Sequence, residues 1–122
     1  MSWLAERAAS FRFALRGLAA FSREANARIH AAVALAVIVL AASLGVDRRD
    51  WALLALAIGL VLAAEAINTA LEALADHVAP GIHPRVARVK DIAAAGVLLA
   101  ALAAAAVGLL VFWKPLLARL VS

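Results

Sequence analysis

Three long apolar segments limit what this chain can fold into. Residues 29–46 contain no ionisable group except His30, residues 51–75 are apolar apart from a few polar groups in their second half, and residues 92–113 carry no charge. A helix needs about 20 predominantly apolar residues to cross a bilayer. The sequence therefore predicts an all-α membrane protein with three transmembrane helices, and Pro115, just after the third segment, marks the expected end of the last helix.

The composition favours a membrane protein over a soluble domain. Hydrophobic residues make up 67% of the chain and charged residues 16%, whereas soluble domains average about 45–50% apolar and about 25% charged residues. The net charge of +4 does not indicate a nucleic-acid partner, because Lys and Arg lie at segment ends and in short loops. The chain has no cysteine, which excludes disulfides, zinc–cysteine sites and thiol catalysis.

A basic segment, residues 1–28, precedes the first apolar segment. It is not typical of a secretory signal, because its charged part is too long and includes glutamates. In a helix, four apolar side chains would share a narrow arc, and three arginines would lie about 100° away. These residues are Leu4, Phe11, Leu15 and Leu18, and Arg12, Arg16 and Arg23. The pattern predicts an amphipathic helix in the membrane interface; an ordinary basic tail is the alternative.

The distribution of cations predicts the orientation. Eight of the twelve Lys and Arg residues lie in the N-terminal segment and in the loop at residues 76–91, and four lie in the first loop and near the C-terminus. By the positive-inside rule, the N-terminus and the loop at 76–91 are cytoplasmic. No separate soluble domain is visible, so residues 1–122 are expected to form one membrane domain.

A row of polar residues runs along the second apolar segment. Glu65, Asn68, Glu72 and Asp76 fall within a stripe about 80° wide on a helix, and we call them the polar row. A charge at mid-membrane costs about 2.5–3.5 kcal/mol even on lenient scales, so such groups face protein or water and usually mark function. Joining helices by hydrogen bonds is the alternative. Asn68 alone could do that, but it leaves two glutamates unexplained.

Depth separates the two glutamates. Along a helix that starts at Trp51, Glu65 lies about 21 Å and Glu72 about 31 Å from the outer interface. Because the hydrocarbon core is about 30 Å thick, Glu72 is expected at the cytoplasmic boundary and Glu65 about two turns deeper. A lipid hydroxyl would meet Glu65, and a water-soluble phosphate donor would meet Glu72.

The cytoplasmic loop carries charges that complement the polar row. Lys90 could neutralise phosphate oxygens, although a membrane-anchoring lysine is the alternative. Asp91 is of a type that suits the start of a helix. Glu24 and Glu72 could supply oxygen ligands to magnesium, which accepts one or two carboxylates plus phosphate oxygens. Taken alone, however, Glu24 is typical of a solvated surface charge.

Other chemistry-bearing patterns are missing from the sequence. The three histidines have no metal-ligand spacing, and neither a GxxxxGK[ST] loop nor a protein-kinase motif occurs. A nucleotide would therefore have to bind without a standard nucleotide-binding fold.

Three stretches resemble the small prokaryotic diacylglycerol kinases, a family that includes undecaprenol kinases. They are Glu24-Ala25-Asn26-Ala27-Arg28-Ile29-His30, then Glu65-Ala66-Ile67-Asn68-Thr69-Ala70-Leu71-Glu72 with Asp76, and His83 with Val89-Lys90-Asp91-Ile92-Ala93-Ala94. The resemblance implies a homotrimeric enzyme of the bacterial inner membrane that transfers the γ-phosphate of ATP to the hydroxyl of diacylglycerol or undecaprenol.

The resemblance also implies roles for individual residues. Glu65 would be the general base, and Asn68 would support it. Glu24 and Glu72 would hold Mg²⁺ and the nucleotide. The remaining ATP contacts would come from Gly81, Ile82, His83, Lys90 and Asp91.

Three helices per chain are too few to enclose the polar row, which independently predicts an oligomer. The main alternative function is a proton- or ion-translocating subunit, but that needs one ionisable group near mid-membrane rather than a row reaching the cytoplasmic edge. A purely structural protein would explain the alanines but leave Glu65 and Glu72 without a role.

Overall fold

The computed structural model describes residues 2–122, and α-helices are the only regular secondary structure in that range. Its helices are α1 (Trp3–Phe21), α2 (Ala25–Leu44), α3 (Arg48–Val78) and α4 (Pro84–Val121). α2, α3 and α4 are long and apolar enough to cross a membrane. The predicted all-α fold with three apolar helices is therefore confirmed.

A tight turn joins α2 to α3. Gly45 ends α2 with φ 65°, a left-handed conformation that glycine adopts without strain on a Cβ. Asp47 then caps α3, because its Oδ1 accepts a hydrogen bond of 2.9 Å from the backbone N–H of Asp50. The short polar turn makes α2 and α3 antiparallel neighbours.

α4 is longer than the apolar segment within it. Pro84 occupies its first turn, where the missing N–H has no cost. Asp91 therefore lies about two turns inside the helix, and the expectation that it starts the helix is wrong. The expected helix end at Pro115 is also wrong, since α4 continues to Val121. Neighbouring groups in a membrane helix can compensate for the one backbone hydrogen bond that a proline removes.

The seam between α3 and α4 is the most extensive helix contact. Residues of α4 with reduced exposure recur every three or four positions, and most of them are small: Ala93, Val97, Ala100, Ala104, Val107 and Val111. Small side chains let helix backbones approach closely in a membrane. The alanine-rich composition of α4 is thus explained by its packing on α3.

A buried apolar cluster lies at the end of the bundle that contains the α2–α3 turn. Its members, which we call the apolar cluster, are Ala41, Leu54, Val111 and Phe112. Beside it, Arg119 Nη2 donates a hydrogen bond of 2.6 Å to the backbone carbonyl of Ser43. This bond links the last turns of α4 to the end of α2, whose final carbonyls have no partner within their own helix.

α1 stands apart from the other three helices. None of the residues in Trp3–Phe21 is buried. Within the helix, the guanidinium of Arg7 lies 5.5 Å from the ring centre of Trp3, and that of Arg16 lies 5.8 Å from the ring centre of Phe13. A helix is therefore present in the basic N-terminal segment, but it ends at Phe21, and α2 begins before the first apolar segment does.

Candidate active site

The polar row on α3 turns into the bundle at its deep end. Glu65 is 2% exposed and Asn68 is 6% exposed, because they share a helix face with the buried residues Leu54, Ala57 and Val61. The expectation that the row faces protein is confirmed for these two residues. One chain buries these two residues but leaves Glu72 half-buried and Asp76 exposed, so a single chain encloses only the deep half of the row, and the oligomer stays a prediction.

Two buried acceptor atoms in the row lack a partner. Glu65 Oε1 and Asn68 Oδ1 make no hydrogen bond with any residue in the range 2–122. Both oxygens are acceptors, and a buried polar atom without a partner costs about 1–3 kcal/mol. The group that would complement them is a hydrogen-bond donor such as a hydroxyl.

The other oxygen of Glu65 faces a residue of α2. His30 Nε2 lies 3.7 Å from Glu65 Oε2, and the side chains are 26% and 3% exposed, respectively. This contact was not predicted from the sequence, which gave His30 no role. The available signal was that His30 is the only ionisable residue between Arg28 and Asp47, since such a group within a membrane span usually marks function.

Asn68 connects the deep part of the row to its shallow part. Its Nδ2 donates a hydrogen bond of 3.5 Å to Glu72 Oε1, one helical turn further on. Glu72 is half-buried and Asp76 is exposed. The row therefore runs from a buried carboxylate at Glu65 to an exposed one at Asp76.

An ion pair joins the exposed end of the row to α4. Lys90 Nζ donates a hydrogen bond of 2.8 Å to Asp76 Oδ1. This bond is the main reason that the pKa of Lys90 is raised above its ordinary 10.5; desolvation opposes it, and the charges of Asp76 and Glu72 add to it. Lys90 is thus a cation at neutral pH beside Glu72. The sequence predicted the cation but not its partner Asp76.

The turn between α3 and α4 holds most of the remaining candidate residues. Gly81 has φ 101°, a conformation that L side chains rarely adopt. Ile82 is 97% exposed, and His83 precedes α4 without capping it through its side chain. Asp91 is exposed. Across the described chain, no side-chain hydrogen bond or ion pair links these four residues to the polar row.

Glu24 stands at the start of α2. Its side chain is exposed and does not cap the helix. No group of three or more His, Cys, Asp or Glu side chains within residues 2–122 is arranged to hold a metal ion. Glu24 and Glu72 nevertheless offer hard oxygen atoms, which match magnesium when phosphate oxygens and water supply the remaining ligands.

An apolar groove passes next to the buried end of the row. It has a volume of 970 Å³ and is lined by residues of α2, α3 and α4, among them His30, Val33, Leu62 and Ala105. Because His30 contacts Glu65, the groove and the buried carboxylate are adjacent. The groove therefore reaches the histidine that contacts Glu65 Oε2, and Glu65 itself does not line it.

The chain is similar in sequence to known proteins. The sequence model of the family described as prokaryotic diacylglycerol kinase matches residues 12–112. A diacylglycerol kinase of Synechocystis sp. is 41% identical over 92% of this chain and 65% of its own length. An undecaprenol kinase of Bacillus subtilis is 35% identical over 84% of this chain and 85% of its own. A diacylglycerol kinase of Escherichia coli is 32% identical over 84% of each chain.

Proposed function

The chain belongs to the prokaryotic diacylglycerol kinase family, and we propose that it is an integral-membrane lipid kinase. In this proposal it transfers the γ-phosphate of Mg-ATP to the hydroxyl of a membrane lipid, either diacylglycerol or undecaprenol. The resemblance noted in the sequence is thus confirmed at the level of the family. The donor, the acceptor and the residue roles are our proposals.

One observation carries the chemistry: a buried carboxylate oxygen, Glu65 Oε1, has no donor within residues 2–122. The hydroxyl of a membrane lipid would supply such a donor. Asn68, one turn away, would support the site through the hydrogen bond from its Nδ2 to Glu72 Oε1. General bases positioned in this way typically accelerate proton transfer about 10²- to 10⁴-fold.

The reaction follows from these positions. Glu65 Oε1 accepts the proton of the lipid hydroxyl as the hydroxyl oxygen forms a bond to the γ-phosphorus. The bond from that phosphorus to the bridging oxygen breaks, and ADP leaves with the electron pair. Phosphoryl transfer depends mainly on positioning and on stabilising charge, so a preformed site with few moving parts suits it.

The shallow half of the site would hold the nucleotide. Lys90, cationic and next to Glu72, would neutralise phosphate oxygens. The exposed turn would provide the other contacts, through Gly81, Ile82, His83 and, from the second turn of α4, Asp91. Glu24 and Glu72 would hold Mg²⁺, which when bound neutralises phosphate charge.

The apolar groove would hold the hydrocarbon chain of the acceptor. Because His30 lines the groove and contacts Glu65, a chain bound there would have its hydroxyl end close to Glu65. Both candidate lipids have one hydroxyl and long apolar chains, so this feature supports a lipid acceptor without choosing between them. The relatives named above include kinases of both kinds.

We also propose the assembly and location that the family resemblance implies: a homotrimer in the bacterial inner membrane, with the N-terminus cytoplasmic and α1 in the interface. The unburied α1, with its arginines beside aromatic rings, supports an interfacial position. The chain has no cysteine, so single cysteines can test the orientation. In intact cells, an impermeant maleimide should label Arg49→Cys in the exposed first turn of α3 and spare Ser10→Cys in α1.

The test of function is an assay of purified protein in lipid micelles with Mg-ATP labelled at the γ-phosphate. Diacylglycerol and undecaprenol are supplied separately, and the label is measured in the extracted lipid. Label in either lipid supports a lipid kinase and identifies the acceptor. No label in either lipid, from protein that remains folded and binds ATP, contradicts the proposal. Proton or ion translocation is less favoured, because the polar row continues to the exposed, cation-paired Asp76.

A further inference from the structure

His30 and Glu65 face each other across the contact between α2 and α3. Their separation of 3.7 Å between Nε2 and Oε2 is longer than a hydrogen bond but short enough for an ion pair, and contacts of this kind often tighten when a ligand binds. Glu65 has no other side-chain polar contact among the described residues. A buried carboxylate needs a partner, and here His30 is that partner.

The two oxygens of the Glu65 carboxylate therefore differ. Oε2 faces an imidazole nitrogen on α2, whereas Oε1 is buried without a donor. An imidazole nitrogen that carries hydrogen donates in both the neutral and the cationic ring. A donor on one side fixes the rotation of the carboxylate and leaves the opposite oxygen free to accept.

We infer that His30 is a positioning residue: its Nε2 holds Glu65 Oε2, so that Oε1 is the oxygen that takes the proton of the lipid hydroxyl. This inference rests on the proposed function of Glu65 as the base. His30 touches neither the hydroxyl nor the phosphate in this scheme. It acts through the carboxylate, as the group that orients a general base.

The alternative is that His30 only stabilises the contact between α2 and α3, as polar residues do between membrane helices. Leucine distinguishes the two roles, because it has a similar bulk and packs well in an apolar seam but cannot donate. Glutamine also tests them, because its amide donates but does not titrate near neutral pH. A packing role predicts full activity in His30→Leu, whereas a positioning role predicts a loss that His30→Gln partly restores.

The experiment compares kcat and the KM for ATP in wild type, His30→Leu and His30→Gln, with Tm measured for each in the same detergent. We expect kcat of His30→Leu to fall about 10- to 100-fold, the scale of a small misplacement of a reacting group. The KM for ATP and Tm should stay close to wild type. His30→Gln should be at least fivefold faster than His30→Leu. His77→Leu, at an exposed histidine of α3, is the matched control and should keep its kcat.

Two results would overturn the inference: a kcat of His30→Leu within twofold of wild type, or a His30→Gln variant no faster than His30→Leu. A measurement without turnover separates this outcome from failure of the proposed function. The ¹⁵N chemical shifts of the His30 ring should change in Glu65→Gln, because the carboxylate that contacts Nε2 is gone. Unchanged shifts contradict the contact even if the protein proves to be a lipid kinase, and shifted values support it even if no lipid is phosphorylated.

Discussion

The two ends of the α2–α4 bundle bury their residues for different purposes. In the apolar cluster, Ala41 is 0% and Leu54 3% exposed, and at the other end Glu65 is 2% and Asn68 6% exposed. Burial is therefore nearly equal, but the cluster contains only carbon contacts, whereas the polar end keeps two acceptor oxygens without donors. Satisfaction of polar atoms, rather than burial, distinguishes the end that stabilises the fold from the end that is available for chemistry.

Because of this contrast, we expect substitutions at the two ends to affect activity and stability separately. Changes at the polar end should lower activity and leave stability nearly unaffected, because the polar atoms there contribute little to the fold. Changes in the apolar cluster should lower stability and leave the activity of folded molecules nearly unaffected. Active sites often hold groups that are poorly satisfied in the free protein, at some expense of stability.

The largest effect is expected from Glu65→Gln. The shape of the side chain is preserved, but the amide cannot accept a proton, so kcat should fall at least about 100-fold. Tm and the affinity for ATP should be retained, which calorimetry and turnover assays can measure. Glu6→Gln, at an exposed glutamate of α1, serves as the control. A kcat of Glu65→Gln within tenfold of wild type would remove Glu65 as the base.

Leu54→Ala tests the opposite end. Truncating a buried leucine costs about 2–5 kcal/mol in well-packed cores, so unfolding in mixed micelles should occur at clearly lower denaturant, while kcat per folded molecule is kept. Leu56→Ala is the matched control on the same helix, since Leu56 is 73% exposed and faces away from the cluster. Equal destabilisation by the two variants would show that a leucine in the cluster contributes no more to stability than an exposed leucine.

A third effect is expected at the shallow part of the polar row. Glu72→Gln should weaken Mg-ATP binding about tenfold, on the scale seen when a metal site loses a supporting oxygen, and should barely alter ATP binding without magnesium. Isothermal titration gives both affinities. Asp50→Asn, at the other end of α3, should change neither, and an unaltered Mg-ATP affinity in Glu72→Gln would count against a metal-binding role.

The smallest effect is expected from Arg119→Met. It removes the hydrogen bond to the carbonyl of Ser43 but keeps most of the side-chain stem. One exposed hydrogen bond contributes about 1 kcal/mol or less, so a small decrease in Tm with normal turnover is expected. Lys114→Met, at an exposed lysine of the same helix, is its control. Lost turnover in Arg119→Met would mean that the two ends are coupled.

The helices and the face occupied by the polar row could be predicted, because both follow from local periodicity. Segment length identifies a membrane helix, and a spacing of three or four residues places Glu65, Asn68 and Glu72 together. Neither inference needs to know how one helix packs against another.

The pairing of His30 with Glu65, and of Lys90 with Asp76, could not be predicted in the same way. Each contact depends on the register and rotation of two helices. Over residues 29–42, α2 is apolar on all sides apart from His30, so its sequence gives no strong preference for the face that meets α3. The helix end expected at Pro115 was wrong for a different reason, since the rule that proline ends a helix comes from water-soluble proteins and is less strict in membrane helices.

At 1.5 Å per residue, α3 and α4 extend about 46 Å and about 57 Å, well beyond a hydrocarbon core of about 30 Å. In a bilayer these helices must tilt or extend beyond the hydrocarbon core, and the tilt angle depends on the thickness of the surrounding bilayer. The vertical position of Glu65 relative to the headgroup plane is then set partly by the acyl length of the host lipids. In the proposed reaction, membrane thickness would thereby control how readily an alcohol at that plane reaches the carboxylate.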